Sequence, residues 1–179
     1  MADQSENVRK IGRVIETMPF AAHLGMQFED AGQGWARIRM RYQDENSTAM
    51  KALHGGAISA LIDTTGAMAA WTTAEIATPK YFGSTVGINV NYLSGAIGED
   101  IIAEGRILKR GKEIIYTDVR VTNPDGKLLA TAGGVGFGLG LSIVKRMAES
   151  LSHPLELCSR VGHGTRFAIT VPANQNSTH

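Results

Sequence analysis

The chain reads as an α+β protein, one antiparallel sheet with a long sequestered helix on one face, and three observations carry that reading. The first is the stretch His54 to Trp71, whose residues are small or apolar apart from one charged side chain, Asp63. A surface helix would show a charged stripe, so a helix of this composition is expected to be a buried rod with no solvent face. The second is a series of segments in which apolar and polar residues alternate, two before that helix and four after it. The third is turn chemistry: Gly32 and Gly34, Arg110-Gly111-Lys112, and Asn123-Pro124-Asp125-Gly126 punctuate those segments. Strands joined by tight turns pair antiparallel, and a helix sequestered among them gives an α+β architecture.

Val8, Ile11, Val14, Ile15 and Met18 recur at helical spacing, which predicts an amphipathic helix over 7–18 closed by Pro19. Residues 20–25 read as a connector. Residues 26–29 and 35–42 alternate and form a hairpin. A polar loop over 43–53 leads into the central helix, and a connector containing Pro79 and Gly83 leaves it. Strands are then expected over 85–93, 100–108, 113–121 and from 127 to about 132, as four meandering strands. Beyond them, Leu141, Val144, Met147, Ala148 and Leu151 predict a helix over 139–151. Residues 154–158 and 165–171 can close a small hairpin around Gly162 and Gly164.

Composition excludes several classes of function. With a net charge of +1, the chain has no bias toward nucleic acid or an anionic membrane. Its single cysteine, Cys158, rules out an internal disulfide framework and fits a reducing compartment. The polar N-terminus lacks the apolar core of a signal peptide. The stretch 54–74 is too polar to span a bilayer, since it carries Asp63, Ser59, four threonines and three glycines. The expected setting is cytoplasmic. No cluster of His, Cys, Asp or Glu has ligand spacing, so neither a metal nor an organic cofactor is expected.

The chemistry concentrates in the central helix. Ionising an unpartnered buried carboxylate is costly, so Asp63 needs either a partner or a task. It can act as general base on water, or as nucleophile at a carbonyl carbon. A satisfied structural carboxylate is the plainer alternative. Gly55 and Gly56 at the helix start leave free N–H groups at the positive end of the helix dipole, an arrangement suited to a developing oxyanion. Asp63 lies eight residues beyond Gly55, roughly 12 Å along a helix. One carbonyl group cannot touch both ends of that gap. If both act, they come from two subunits, with Gly55 of one chain brought near Asp63 of the other by a two-fold pairing of antiparallel helices.

The pattern His54-Gly55-Gly56, then Leu61-Ile62-Asp63, then Val86-Gly87-Ile88-Asn89-Val90-Asn91-Tyr92-Leu93 resembles hotdog-fold acyl-CoA thioesterases of the phenylacetate-degradation (PaaI-like) type, over roughly residues 8–134. The resemblance implies a hotdog fold, an antiparallel sheet wrapped around a long central helix. It also implies hydrolysis of an acyl-CoA substrate at a site shared between subunits of a homodimer, often paired further into a homotetramer. By that resemblance Asp63, Gly55, His54 and Thr85 are the catalytic candidates. His54 would orient substrate or serve structurally ahead of the helix, and Thr85 would supply a hydroxyl that helps hold the water. Substrate contacts are expected from Gly56, Asn46 and Thr64. The family often carries asparagine and glycine six and three positions before the histidine; here those positions are Thr48 and Lys51, with Asn46 nearby.

The C-terminal segment departs from the family. From Gly136 it resembles the end of a sensor histidine kinase ATP-binding domain: a second glycine box over Gly136 to Gly140, the following helix and a final hairpin. The asparagine helix, the adenine-reading loop and the phosphoacceptor region of such kinases have no counterpart upstream. The expected organisation is a hotdog domain over 1–135, an incomplete kinase-like fragment over 136–172 and a polar tail over 173–179. Two rival functions are a non-catalytic acyl-CoA-binding hotdog module, which would not depend on Asp63, and a nucleotide-binding kinase remnant.

Overall fold

The computed structural model describes residues 4–73, 84–111, 114–138, 155–160 and 164–169. Helix α1 (Gln4–Thr17) buries Ile11 and Ile15 against the start of the sheet. A short helix α2 (Pro19–His23) replaces the expected connector, with Pro19 at its first position, where a missing N–H costs nothing. Strands β1 (Met26–Gly32) and β2 (Trp35–Met40) form the expected hairpin, and Gly34 at φ 80° supplies its left-handed turn residue. A 3-10 turn (Asp44–Asn46) interrupts the loop before the central helix α3 (Gly55–Trp71).

The remaining strands are β3 (Ser84–Gly87), β4 (Val90–Tyr92), β5 (Ile101–Arg110), β6 (Ile114–Thr122) and β7 (Leu128–Gly138). They join β1 and β2 in one seven-stranded sheet of order β1-β2-β5-β6-β7-β3, with β4 also paired to β7. Two expectations are corrected here. The segment 85–93 is two strands, and it does not open a simple meander: it lies at the far edge against β7, while β2 takes the place beside β5. Strand β7 also continues past Ala132 to Gly138, so the boundary drawn at 135/136 falls inside a strand. Gly134 at φ 66° lets β7 bend past the irregularity, and Val135 and Phe137 remain buried beyond it. Apolar alternation is hidden there because glycine occupies every second place.

Helix α3 lies across this sheet with Ile58, Leu61, Ile62, Met68 and Ala69 buried. Burying each of the larger side chains contributes about 1.5–3 kcal/mol. Two glycines permit the close approach. A Cβ at Gly66 would sit 2.8 Å from the Thr117 hydroxyl and 3.0 Å from the Phe137 ring, and one at Gly105 would sit 3.1 Å from the Thr65 carbonyl oxygen. The helix does, however, have an uncovered face. Gly56 is exposed, and Ser59, Ala60, Asp63 and Ala67 are half-buried at the spacing of one helical stripe. The sequence pattern missed this face because its residues are small rather than charged.

Strands β8 (Leu155–Arg160) and β9 (Gly164–Ile169) pair antiparallel as a separate two-stranded sheet, in the region where a C-terminal hairpin was expected. The helix expected over 139–151 and the tail from 173 lie outside the described residues.

Candidate active site

The start of α3 is built by its own flanking residues. His54 is the N-cap, and its Nδ1 accepts the Gly56 N–H at 2.9 Å. An accepting Nδ1 places the ring proton on Nε2, which is then the free donor of an exposed imidazole. The His54 carbonyl accepts from Ala57 at 2.9 Å and Ile58 at 3.1 Å. The first helical N–H, that of Gly55, has no intrahelical acceptor and points out of the helix at the positive end of its dipole. Of the two glycine donors the sequence offered, Gly56 is therefore spent on the cap, and the half-buried Gly55 carries the one with no acceptor among the described residues.

Asp63 lies two turns further along the uncovered stripe. Thr85, from β3, donates its hydroxyl to Asp63 Oδ1 at 2.5 Å. The structure thus brings two of the sequence candidates together within one protomer, across 22 residues of chain, and Asp63 Oδ2 has no donor among the described residues. His54, Gly55 and Gly56 form the second group at the helix start. Among the described residues no hydrogen bond joins Asp63 or Thr85 to the group at the helix start.

Two further candidates are placed elsewhere. Asn46 is buried, and its side chain is consumed by the loop: Nδ2 donates to the Arg41 and Leu24 carbonyls, and Oδ1 accepts from the Gln43 N–H. Its contribution to the site runs through its carbonyl, which accepts the His54 N–H at 2.9 Å. Thr64 is buried and lies off the Asp63 stripe. Lys51, where the resembled family often has glycine, is the sole non-glycine residue with positive φ among the described residues, at 56°. That conformation explains why glycine suits the position.

Residues that sequence reasoning passed over are Ser59 and Tyr92. The Tyr92 hydroxyl donates to the Gly55 carbonyl at 3.0 Å and lies 2.5 Å from the Ser59 hydroxyl. The helical spacing of Gly55, Ser59 and Asp63, four residues apart each time, was a readable signal for Ser59; Tyr92 carried none. A cavity of about 300 Å³ lies on the sheet face away from α3, lined by Arg37, Glu104, Arg120 and Asn123 among others. It touches none of these site residues. There the Arg37 guanidinium, hydrogen-bonded at 2.6 Å, and Arg106 hold the Glu104 carboxyl below its usual range. The described residues contain no group of three or more His, Cys, Asp or Glu able to hold a metal, and no helix among them is long and apolar enough to cross a membrane.

Comparison with known proteins decides the family. Residues 50–130 match the family model described as "Thioesterase superfamily". Human "Acyl-coenzyme A thioesterase 13" is 32% identical over 134 residues, covering 73% of this chain and 93% of that protein. The chain belongs to the thioesterase superfamily. Among solved structures, zebrafish thioesterase superfamily member 2 is 30% identical with a TM-score of 0.62, covering 73% of this chain and 94% of that one. The Escherichia coli PaaI protein of the phenylacetic acid degradation operon superposes with a TM-score of 0.67 over 77% of this thioesterase, but at 19% identity it speaks to fold alone. The expected hotdog architecture is therefore the observed one, and the protein is a thioesterase.

Proposed function

We propose that this thioesterase hydrolyses acyl-CoA thioesters to the free acid and CoA, with Asp63 as general base and the Gly55 N–H as oxyanion donor. The observation that carries the reading is the Thr85–Asp63 hydrogen bond on the uncovered stripe of α3. With Oδ1 held by Thr85, Oδ2 is the atom left to take a proton from water. As the water oxygen bonds to the thioester carbon, negative charge collects on the carbonyl oxygen, where the Gly55 N–H and the helix dipole favour it. Collapse breaks the C–S bond, and the thiolate leaves with the proton that Asp63 took up. The acyl-CoA thioesterase named above, at 32% identity, supports the substrate class. The acyl group on this reading is small or medium in size, an aryl-acetyl group included.

The roughly 12 Å between Gly55 and Asp63 requires a second copy of the chain. The uncovered face of α3, small and nearly uncharged, is the surface on which that copy would lie antiparallel, so that each site takes Gly55 from one chain and Asp63 from the other. Pairs of such dimers would form the tetramer. Gly136 and Gly138 are strand residues paired with β3 rather than parts of a loose lid, which argues against a nucleotide function for the glycine-rich segment.

CoA release from a panel of acyl-CoAs tests the reading. The wild-type protein is expected to turn over at least one of them, and Asp63→Ala to lose at least 100-fold in kcat. Full activity in Asp63→Ala sinks the mechanism. The shared site is tested by mixing Asp63→Ala with Gly55→Pro, which removes the donor N–H. Refolded together, the two inactive variants should recover about a quarter of wild-type activity, from the single intact site in each mixed dimer. No recovery, with mixed dimers demonstrated, overturns the pairing of Gly55 and Asp63 in one shared site.

A further inference from the structure

We propose that Tyr92 is a positioning residue for this reaction, its hydroxyl locking the first turn of α3 so that the Gly55 N–H keeps its direction; the proposal rests on the oxyanion role given to Gly55 above. Two peptide units meet at the Gly55 Cα. The preceding unit is held through the His54 carbonyl, which accepts from Ala57 and Ile58. The following unit is held at both ends: its N–H donates to His54 Nδ1 at 2.9 Å, and its carbonyl, that of Gly55, accepts the Tyr92 hydroxyl at 3.0 Å. Glycine has more backbone freedom than any other residue, so a donor carried by Gly55 needs such restraint from its surroundings. Among the described residues, all of the remaining restraints come from the helix and its cap. Tyr92 is the one that comes from the sheet, through β4 and its pairing of Tyr92 with Ala130.

Hydrogen counting fixes the polarity of this contact. A phenol has one hydrogen, and that of Tyr92 goes to the Gly55 carbonyl. In the 2.5 Å contact between the two hydroxyls, Ser59 is then the donor. The chain Ser59 to Tyr92 to Gly55 spans one helical turn, and donation from Ser59 strengthens the phenol as a donor in its own right. Tyr92 is 52% exposed, so burial does not hold its ring in place. These two hydrogen bonds do, and the ring lies beside Gly55, where an added Cβ would meet it at 3.5 Å. An exposed tyrosine tied by its hydroxyl to the peptide beside the oxyanion donor is poised to set geometry. Errors of the order of 1 Å in such a donor cost up to about 100-fold in rate.

The test compares Tyr92→Phe, Ser59→Ala and the double variant with wild type and Asp63→Ala, reading kcat, KM and the thermal unfolding midpoint. Tyr92→Phe is expected to lower kcat roughly tenfold while KM stays within about twofold and the unfolding midpoint is unchanged. Ser59→Ala should lower kcat about threefold, and the double variant should be no worse than Tyr92→Phe, because Ser59 acts through the tyrosine. Faster exchange of the Gly55 amide proton in Tyr92→Phe is expected alongside. An active wild type, a disabled Asp63→Ala and an unaffected Tyr92→Phe would overturn this proposal alone. So would an equal fall in unfolding midpoint, which makes the role structural, or losses that multiply in the double variant. A wild type inactive on every thioester overturns the hydrolase reading and this proposal with it.

Discussion

The two ends of the candidate site are held in very different ways. At the start of α3, the Asn46 carbonyl, the His54 ring and the Tyr92 hydroxyl fix successive groups of one short segment from the loop, the cap and the sheet. Two turns on, Asp63 has a single hydrogen bond among the described residues, from Thr85 on a strand whose four residues are all exposed. That strand is placed by pairing with Phe137, Gly136 and Gly138 of β7. One end is determined several times over; the other depends on one edge strand. An oxyanion donor must be rigid, because its value lies in costing no reorganisation when charge develops. A general base tolerates more latitude, since it meets a water that can move.

Four substitutions test that contrast. The largest effect is expected from Gly55→Pro. His54 already has the extended conformation that a following proline requires, at φ −68° and ψ 136°, and proline suits a first helical position. The helix should therefore survive while kcat falls about 100- to 1,000-fold, the cost of an oxyanion donor. A small effect there would move the oxyanion role to another group.

Next is Thr85→Val, which keeps the shape and removes the hydroxyl on Asp63. A loss of about tenfold in kcat, with unfolding by urea unchanged, is the expected outcome. If stability falls instead, the pair is holding the strand rather than the base.

Gly136→Ala probes the strand itself. Its Cβ would sit 2.8 Å from Val86 Cγ2, so β3 must shift and Thr85 with it. Activity should drop about threefold, and the double variant with Val86→Ala, which removes the obstructing methyl groups, should regain it. An unchanged rate in Gly136→Ala would show that β3 has more slack than its pairing suggests.

The smallest effect is on stability alone. Lys51 at φ 56° carries a backbone cost of about 1 kcal/mol that glycine avoids, less the extra entropy glycine loses on folding. Lys51→Gly should raise the unfolding free energy by about 0.5 kcal/mol with no change in kcat, measured by urea denaturation and the same CoA-release assay.

Much of the fold was legible because its signals are local. Alternation in residues 114–121 gives β6 its inward Ile115, Thr117, Val119 and Val121. Asn123-Pro124-Asp125-Gly126 makes the turn its residues demand, with the Asn123 side chain accepting the Lys127 N–H at 2.8 Å. The end of β7 was illegible for a physical reason. In Gly133-Gly134-Val135-Gly136-Phe137-Gly138, glycine stands where side chains would reveal a strand, and the same glycines make the segment resemble a flexible box. In the folded chain two of them have separate reasons: Val86 and Tyr116 pack over Gly136, leaving no room for a side chain, and Gly134 adopts a φ of 66°.

What the sequence determined by itself was the helix with its histidine cap, its paired glycines and its lone carboxylate, because capping and periodicity act over a few residues. Which partners that helix meets was decided only by tertiary structure. Strand order, with 84–92 set against β7 rather than β5, is what brings Thr85 to Asp63 and Tyr92 to Gly55. Periodicity reports that a face is apolar or small. It cannot report what covers that face, since one surface chemistry serves a sheet and a second copy of the chain alike.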